Sequence, residues 1–171
     1  MSARRLVTIC VPVFNEAENV RPLYDRLAPV LAPLADRYDF EILFTDNHSD
    51  DETFERLAAL ALEDKRIRVI RFSRNFGFQR SVLANYAQAR GDAAIQIDCD
   101  LQDPPELFAE FLARWEQGYQ VVYGIRKSRP RESWLLRTGR RVFYRLIDWL
   151  SEDNLPHDAG DFRLVDRRVL D

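Results

Sequence analysis

Two aspartates one residue apart, Asp98 and Asp100, have the types and spacing that most directly indicate chemistry in this chain. They follow an apolar run, residues 93–97, that is typical of a buried strand. Side chains two residues apart on a strand point to the same side, so both carboxylates can face one ligand. Mg²⁺ and Mn²⁺ prefer such oxygen ligands and usually take one or two protein carboxylates, with water and substrate phosphates completing the shell. The pair therefore predicts a site for a divalent cation and a phosphate.

The elements that would position this pair alternate along the chain. Short apolar segments typical of buried strands are separated by amphipathic segments typical of helices, and Gly91 is expected to end the third helix. This alternation predicts an α/β fold with a mostly parallel sheet and helices on both faces, in which ligands bind beyond the carboxyl ends of the strands. The predicted strands are residues 6–14, 40–45, 67–72, 93–97 and 120–123.

Each of the first four predicted strands ends in a polar cluster. An isolated pair of aspartates is often only a solvated loop feature, but ordinary turns have no reason to match one another in chemistry. We therefore expect the four clusters to form one site for a ligand with hydrogen-bonding and anionic parts. The clusters are Asn15-Glu16, Asp46-Asn47, Arg74-Asn75 and Asp98-Cys99-Asp100.

Positive charge is concentrated in one part of the chain. The net charge is only −3, but eight basic residues and one acid, Glu132, lie between Arg126 and Arg145. The net charge argues against a nucleic-acid partner, and the local excess indicates an anionic one, either a phosphate or a membrane surface. Residues 134–150 are typical of a basic amphipathic helix at a membrane interface, although a helix packed on the sheet with a solvated basic face would have the same pattern.

Other features limit the possible classes of protein. Two cysteines and two histidines exclude zinc-finger spacing. No apolar run approaches the roughly 18 residues that span a bilayer, so we expect this chain to be soluble by itself. The last residues, 166–171, look like the start of a helix, from which we expect the chain to be a fragment.

Five motifs in order resemble the inverting nucleotide-sugar glycosyltransferases with the GT-A fold, and especially the polyprenyl-phosphate branch that includes dolichyl-phosphate mannose synthase. The resemblance covers essentially the whole chain, and five ordered motifs are far more specific than one. Cys99 stands where alanine is commoner in the metal motif. The motifs are VPVFNEAEN (11–19), DNHSD (46–50), SRNFG (73–77), DCDLQDPPE (98–106) and GDFRL (160–164).

The resemblance implies roles on the donor side of the reaction. Glu16 would hydrogen-bond the ribose of the nucleotide, and Asp46 would read the edge of its base. Asp98 would lie near the ribose and phosphates, and the Mg²⁺ or Mn²⁺ ligands would be Asp98, Asp100 and Gln102. Further substrate-binding positions implied by the same motifs are Pro12, Phe14, Asn75 and Gly77.

The resemblance also implies roles on the acceptor side. Arg126 would meet the phosphates of the acceptor or donor, with Arg137 and Arg140 as neighbours, and Asp161 would lie near the acceptor. Asp100, Arg126 and Asp161 are thus the expected catalytic residues. Because a phosphate nucleophile is already ionised near pH 7, Asp161 is a weaker candidate for a general base than it would be with a hydroxyl acceptor. Its alternative role is a structural pair with Arg163 or Arg126.

The implied function is transfer of a hexose or pentose, with inversion, from a UDP- or GDP-linked sugar to undecaprenyl or dolichyl phosphate. Residues 1–125 would form the donor and metal core. Residues 126–171 would form the acceptor side of the same domain, ending before C-terminal membrane helices. We expect the enzyme to act at the cytoplasmic face of a membrane, and a homo-oligomer is one possible state.

Three alternatives remain open at this point. A related glycosyltransferase of cell-envelope polysaccharide synthesis would use a sugar hydroxyl as acceptor. A non-catalytic nucleotide-sugar-binding domain would keep the donor residues but would need no arginine-rich segment. Aspartyl phosphatases also use an Asp-x-Asp pair with Mg²⁺, but there the pair follows the first strand, whereas here it follows the fourth.

Overall fold

A computed structural model of the chain describes residues 4–125 and 159–171. The strands are β1 (Arg5–Val13), β2 (Tyr38–Asp46), β3 (Ile67–Arg71), β4 (Ala93–Gln96), β5 (Val121–Ile125) and β6 (Ala159–Asp166). The α-helices are α1 (Ala17–Leu31), α2 (Thr53–Glu63), α3 (Phe78–Gln88), α4 (Phe108–Glu116) and α5 (Arg167–Leu170). Short 3-10 turns cover Ala32–Leu34 and Pro105–Leu107.

The strands form one six-stranded sheet in the order β3-β2-β1-β4-β6-β5. Strands β1 to β4 are parallel, and β6 runs antiparallel to both of its neighbours. The predicted mostly parallel α/β sheet is confirmed. Successive strands are added in one direction from β1 to β3, and β4 then lies on the other side of β1. Such a reversal leaves a crevice at the carboxyl ends of the strands, where ligands bind in sheets of this kind.

Helices cover both faces of the sheet. Apolar residues of α1, α2 and α4 pack with one side of the central strands, and α3 packs with the other side, where Cys10 and Ala94 lie. The middle of β1 is buried on both sides, because its successive side chains enter one or the other layer. Burial on both faces explains why β1 is a nearly continuous apolar run rather than an alternating one.

Strand β6 is the element that the sequence pattern fails to predict. It pairs with β4 through Ala93 opposite Asp166 and Gln96 opposite Arg163. Two contacts with α4 hold it in place. Phe162 packs on Phe111 with ring centroids 4.8 Å apart, and Asp166 accepts a 2.6 Å hydrogen bond from Trp115 Nε1. The segment 160–164, predicted as an acceptor motif, is thus part of the same sheet as β1 to β5.

Asp166 also caps α5, as the sequence predicts for the start of a helix. Its carboxylate accepts a 2.9 Å hydrogen bond from the backbone N–H of Arg168. Hydrogen bonds from the Arg168 side chain are the main cause that holds the pKa of Asp166 well below its usual range. The carboxylate is therefore ionised at neutral pH, where it ties β6 to both α4 and α5.

Gly91 does not end a helix, so that prediction is wrong. Helix α3 ends at Gln88, and Gly91 lies beyond it where the chain passes β1. Its N–H donates a 2.9 Å hydrogen bond to Thr8 Oγ1. A Cβ at this position would lie 2.6 Å from both the Ala93 carbonyl oxygen and the Thr8 backbone nitrogen. Glycine is required here because two backbone segments approach closely.

Among the residues that the structure describes, no helix is long and apolar enough to cross a membrane. The basic amphipathic helix predicted for residues 134–150 lies outside the described residues and stays a prediction.

Candidate functional site

A cleft of about 340 Å³ opens at the carboxyl edge of β1, β2 and β4, where the strand order reverses. Every one of the four polar clusters contributes to it. It brings together seven of the predicted site residues: Pro12, Phe14, Glu16, Asn75, Gly77, Asp98 and Asp100. Five further lining residues were not predicted as site residues: Val13, Asn47, Phe78, Ser81 and Cys99.

Three carboxylates converge in this cleft around one buried thiol. Cys99 is only 2% exposed. Burial is the main cause that raises the pKa of its thiol, and the nearby charges of Glu16, Asp100 and Asp98 raise that pKa further. The thiol therefore stays protonated and is not a nucleophile at neutral pH. All three acids line the same cleft, so the acids of two separate clusters lie close together.

The charge of the cleft fits a divalent cation. Among the described residues that line it, none is Lys or Arg, whereas three are acids. An anionic phosphate would be repelled from such a cleft unless a cation neutralised the carboxylates. The described part of the chain contains no cluster of three or more His, Cys, Asp or Glu arranged as metal ligands. Mg²⁺ and Mn²⁺ are compatible with this absence, because they take only one or two protein carboxylates and complete their shell with water and phosphate.

A tight turn presents Asp100 to the cleft. Its Oδ1 accepts a 3.0 Å hydrogen bond from the backbone N–H of Gln102. Gln102 is not among the residues that line the cleft, so its predicted role as a metal ligand gains no support from this geometry. Leu101, between them, has a φ of 63°, which is unusual for a residue with a branched side chain.

Backbone strain is concentrated at this edge of the sheet. Asn15, His48 and Leu101 have positive φ angles of 57°, 64° and 63°, and they follow β1, β2 and β4 respectively. Each such conformation costs roughly 1–3 kcal/mol unless the surroundings compensate. Asn15 is compensated on both sides, because its N–H donates to Ser49 Oγ at 2.9 Å and its Oδ1 accepts from the N–H of Asp50 at 2.9 Å. Strained conformations of this kind cluster at functional sites.

Asp46 does not line the cleft, although it was predicted to read a base. Its side chain is fully buried. Oδ1 accepts hydrogen bonds from the backbone N–H of Ser49 at 2.9 Å and from its hydroxyl at 2.6 Å, and Oδ2 lies 3.3 Å from Arg71 Nε. In the described chain Asp46 therefore organises the turn after β2.

Asn47, the residue after Asp46, occupies the cleft instead and fixes the loop before α3. Its Nδ2 donates to Asn75 Oδ1 at 2.9 Å, and its Oδ1 accepts from the N–H of Phe76 at 2.9 Å. Asn75 Oδ1 also accepts from the N–H of Gly77 at 2.8 Å, where φ is +88°. One signal in the sequence could have identified Asn47. It directly follows β2, and a side-chain amide can both donate and accept hydrogen bonds.

Asp161 lies near the same edge of the sheet. In the register of β4 and β6, in which Gln96 is opposite Arg163, two further residues would place Asp161 opposite Asp98. Asp161 Oδ1 is 3.9 Å from Arg163 Nη2, and Arg163 Nε donates a 3.0 Å hydrogen bond to the Tyr86 hydroxyl. Burial raises the pKa of Tyr86. The pair with Arg163 is the structural role that the sequence left open for Asp161.

The predicted acceptor arginines Arg126, Arg137 and Arg140 lie outside the described residues. Their roles stay predictions.

Comparison with known proteins gives a consistent result over the chain. A family model described as glycosyl transferase family 2 matches residues 8–171. Glycosyltransferase YkcC of Bacillus subtilis (strain 168) is 41% identical over 171 residues, which are 100% of this chain and 52% of that protein. The bactoprenol glucosyl transferase of Shigella phage SfV is 35% identical over 167 residues, 96% of this chain and 53% of that protein. The chain thus spans about half the length of these curated relatives.

Solved structures share the fold. A mannosyltransferase from Pyrobaculum calidifontis, in complex with GDP-Man and Mn²⁺, matches with a TM-score of 0.67 and 16% identity, over 99% of this chain and 46% of that one. Glucosyl-3-phosphoglycerate synthase from Mycobacterium tuberculosis, in complex with Mn²⁺, UDP-Glc and glycerol 3-phosphate, matches with a TM-score of 0.66 and 20% identity, over 96% of this chain and 58% of that one. At these identities the likeness establishes the GT-A fold.

Proposed function

Because this chain belongs to glycosyl transferase family 2, we propose that it transfers a sugar from a nucleotide-diphosphate sugar to a polyprenyl phosphate, with inversion and with Mg²⁺ or Mn²⁺. One observation carries the proposal. The cleft at the carboxyl edge of the sheet combines three carboxylates with two side-chain amides, and none of its described lining residues is a cation. That combination suits a hydroxyl-bearing diphosphate that arrives with a divalent cation.

The donor side follows from the residues of the cleft. Glu16 and Asp98 can accept hydrogen bonds from sugar or ribose hydroxyls, and the Asn47–Asn75 clamp holds the loop against which the nucleotide would lie. Asp100, with Asp98, would hold the cation. When bound, Mg²⁺ or Mn²⁺ supplies a Lewis acid that stabilises the charge on the departing nucleoside diphosphate. The solved structures of the fold that contain Mn²⁺ with GDP-Man or UDP-Glc support this assignment.

The acceptor side depends on the arginine-rich residues 126–145 and on the relative named bactoprenol glucosyl transferase. A lipid phosphate oxygen would attack the anomeric carbon while the bond from that carbon to the diphosphate oxygen breaks. Arginine binds phosphate through two parallel hydrogen bonds and can hold two repelling anions close together. The attacking phosphate is already ionised, so no residue has to remove a proton.

The same proposal assigns two parts to the chain. Residues 1–125 would bind the donor and the metal, and residues 126–171 would form the acceptor side of the same catalytic domain. In the described chain β6 inserts between β4 and β5, which supports one domain rather than two. Since the acceptor is a lipid, the transfer would take place at the cytoplasmic face of a membrane.

Two substitutions distinguish this acceptor from a sugar hydroxyl. We expect Asp161→Asn to retain transfer to undecaprenyl phosphate within about tenfold, because no general base is needed. We expect Arg126→Ala to lower the kcat/KM about a hundredfold, because a charge-assisted phosphate contact is lost. The measurement is formation of glycosyl phosphate lipid from a labelled nucleotide sugar. Arg114→Ala, which removes an exposed arginine of α4, serves as the control.

The alternatives predict other outcomes in this assay. An enzyme that uses a sugar hydroxyl would lose activity with Asp161→Asn and keep it with Arg126→Ala. A non-catalytic binding domain would bind the nucleotide sugar without any transfer. Either pattern would contradict the proposed acceptor, and the second would contradict catalysis altogether.

A further inference from the structure

We propose that the outer side of the β3–α3 connection is a docking surface for an anionic lipid bilayer. This α3 surface consists of Phe72, Arg74, Phe76, Phe78, Arg80 and Leu83. It includes none of the arginine-rich residues 126–145, and it rests on the proposed function only in that a lipid-borne acceptor would come from the bilayer it contacts.

The α3 surface exposes large apolar side chains. Phe76, Phe78 and Leu83 are 37%, 42% and 65% exposed. A groove of about 360 Å³ on the same surface is lined by Phe72, Phe76, Arg80 and Leu83. Exposed apolar groups that are contiguous, rather than scattered singly, mark interaction sites on soluble domains.

Hydrogen bonds and a ring contact fix the loop that carries Phe72 and Phe76. The backbone N–H of Phe76 is fixed by Asn47 Oδ1 at 2.9 Å, and the carbonyl of Phe72 lies 3.1 Å from His48 Nδ1. Phe72 and Phe76 pack edge to face with ring centroids 5.5 Å apart. The loop is therefore ordered before any partner binds, which lowers the entropy cost of docking.

Charge on this surface favours an anionic partner. Residues 65–91 contain seven basic residues and no acid, in a chain whose net charge is −3. Three of them are already paired: Arg66 with Asp64, and Arg68 and Arg71 with the buried acids Glu41 and Asp46. Arg74 instead lies over the Phe76 ring at 4.7 Å. Within residues 4–125 and 159–171, neither Arg74 nor Arg80 takes part in an ion pair, so no acid of those residues neutralises either cation.

The combination of groups favours a bilayer over a nucleic acid. Bases would stack on aromatic faces, but Leu83, the most exposed apolar residue of the α3 surface, offers no stacking face. Apolar side chains with arginines beside them suit the boundary between headgroups and acyl chains. The surface also adjoins the cleft, because Asn75, Gly77 and Phe78 line that cleft. A docked bilayer would therefore lie beside the nucleotide-sugar site.

The test is binding of the full chain to phosphatidylcholine vesicles with and without phosphatidylglycerol. The variants are Arg80→Glu and Leu83→Ser, neither of which lines the cleft. Matched controls on the opposite face of the sheet are Arg21→Glu in α1 and Leu62→Ser in α2, where Leu62 is 77% exposed. Melting temperatures of all four variants establish that each is folded. Nucleotide binding, measured by thermal shift with UDP or GDP and Mn²⁺, reports on the cleft separately.

We expect the wild-type chain to bind the anionic vesicles, and added salt to weaken that binding. Arg80→Glu should lower the partition coefficient about tenfold or more, because a cation becomes an anion near the charged surface. Leu83→Ser should lower it severalfold, and both controls should stay within about twofold of wild type. Unchanged binding in Arg80→Glu and Leu83→Ser would overturn the proposal and assign membrane contact to another part of the chain.

Binding of a single-stranded oligonucleotide by the chain, without binding of the vesicles, would also overturn the proposed docking surface. The outcome for the proposed function is independent. Vesicle binding that depends on Arg80 and Leu83, in a chain that binds no nucleotide, would contradict the nucleotide-sugar assignment and leave the docking surface intact. Nucleotide binding by a chain that does not bind vesicles would overturn the docking surface and leave the nucleotide-sugar assignment intact.

Discussion

Replacing Asp100 with asparagine is expected to lower glycosyl transfer on the order of a thousandfold and to leave the fold intact. The variant loses a negative charge that would hold the divalent cation, and a metal ion contributes several kcal/mol to stabilising the leaving group. The turn should survive, because the asparagine oxygen can still accept the hydrogen bond that Asp100 Oδ1 receives from the N–H of Gln102 at 3.0 Å. Asp100 is exposed, so no buried partner is lost.

The measurement is kcat/KM with saturating Mn²⁺, alongside the melting temperature without ligand. Asp36→Asn, which neutralises an exposed acid that does not line the cleft, is the matched control and should behave as wild type. Near-wild-type turnover by the Asp100 variant in the presence of a chelator would exclude a metal role for this residue.

Replacing Gly91 with alanine should destabilise the protein by about 3 kcal/mol or more, the largest effect on stability that we expect from adding one methyl group. The added Cβ would lie 2.6 Å from the Ala93 carbonyl oxygen and 2.6 Å from the Thr8 nitrogen. These are backbone atoms of β4 and β1, which cannot move without breaking the pairing of the two central strands. Flexible side chains could yield, but a sheet backbone cannot.

Denaturant unfolding of the two proteins measures this cost. Gly118→Ala is the matched control, because Gly118 has a φ of +99° but no atom within 4 Å of the added Cβ. It should lose only about 1–2 kcal/mol, the cost of a left-handed backbone for a residue with a Cβ. Equal losses in the two variants would show that steric contact at Gly91 is not the reason for its glycine.

The sequence predicts the parallel part of the sheet and most of the cleft. Strands β1, β2 and β4 are largely buried, so their apolar runs and the polar residues that follow them are visible without coordinates. Parallel strands bring their carboxyl ends to one edge, which is why Glu16 and Asp98 could be expected to meet although they are 82 positions apart in the chain. The strands that form this edge can be predicted because their apolar residues form local patterns in the sequence.

The features that the sequence does not predict depend on contacts between distant segments. Strand β6 alternates charged with apolar residues, and it is stabilised by α4 through Phe162 and Asp166 rather than by its own pattern. Asp46 was expected in the cleft because it is a strand-end acid, but only the three-dimensional pairing with Ser49 and Arg71 shows that it is buried. A position at the end of a strand thus predicts which edge of the sheet a residue occupies, but it does not predict the direction of the side chain.

The measurement that tests the central claim most directly is calorimetric titration of UDP-glucose and GDP-mannose into the chain, with Mn²⁺ and again with a chelator. We predict that at least one of the two binds at a single site with Mn²⁺ present. We also predict that the binding is abolished by the chelator and weakened at least about tenfold in Asp98→Asn, since metal, diphosphate and carboxylate would share one cleft. Failure of both nucleotide sugars to bind with Mn²⁺, or binding that ignores both the chelator and the substitution, would contradict the account.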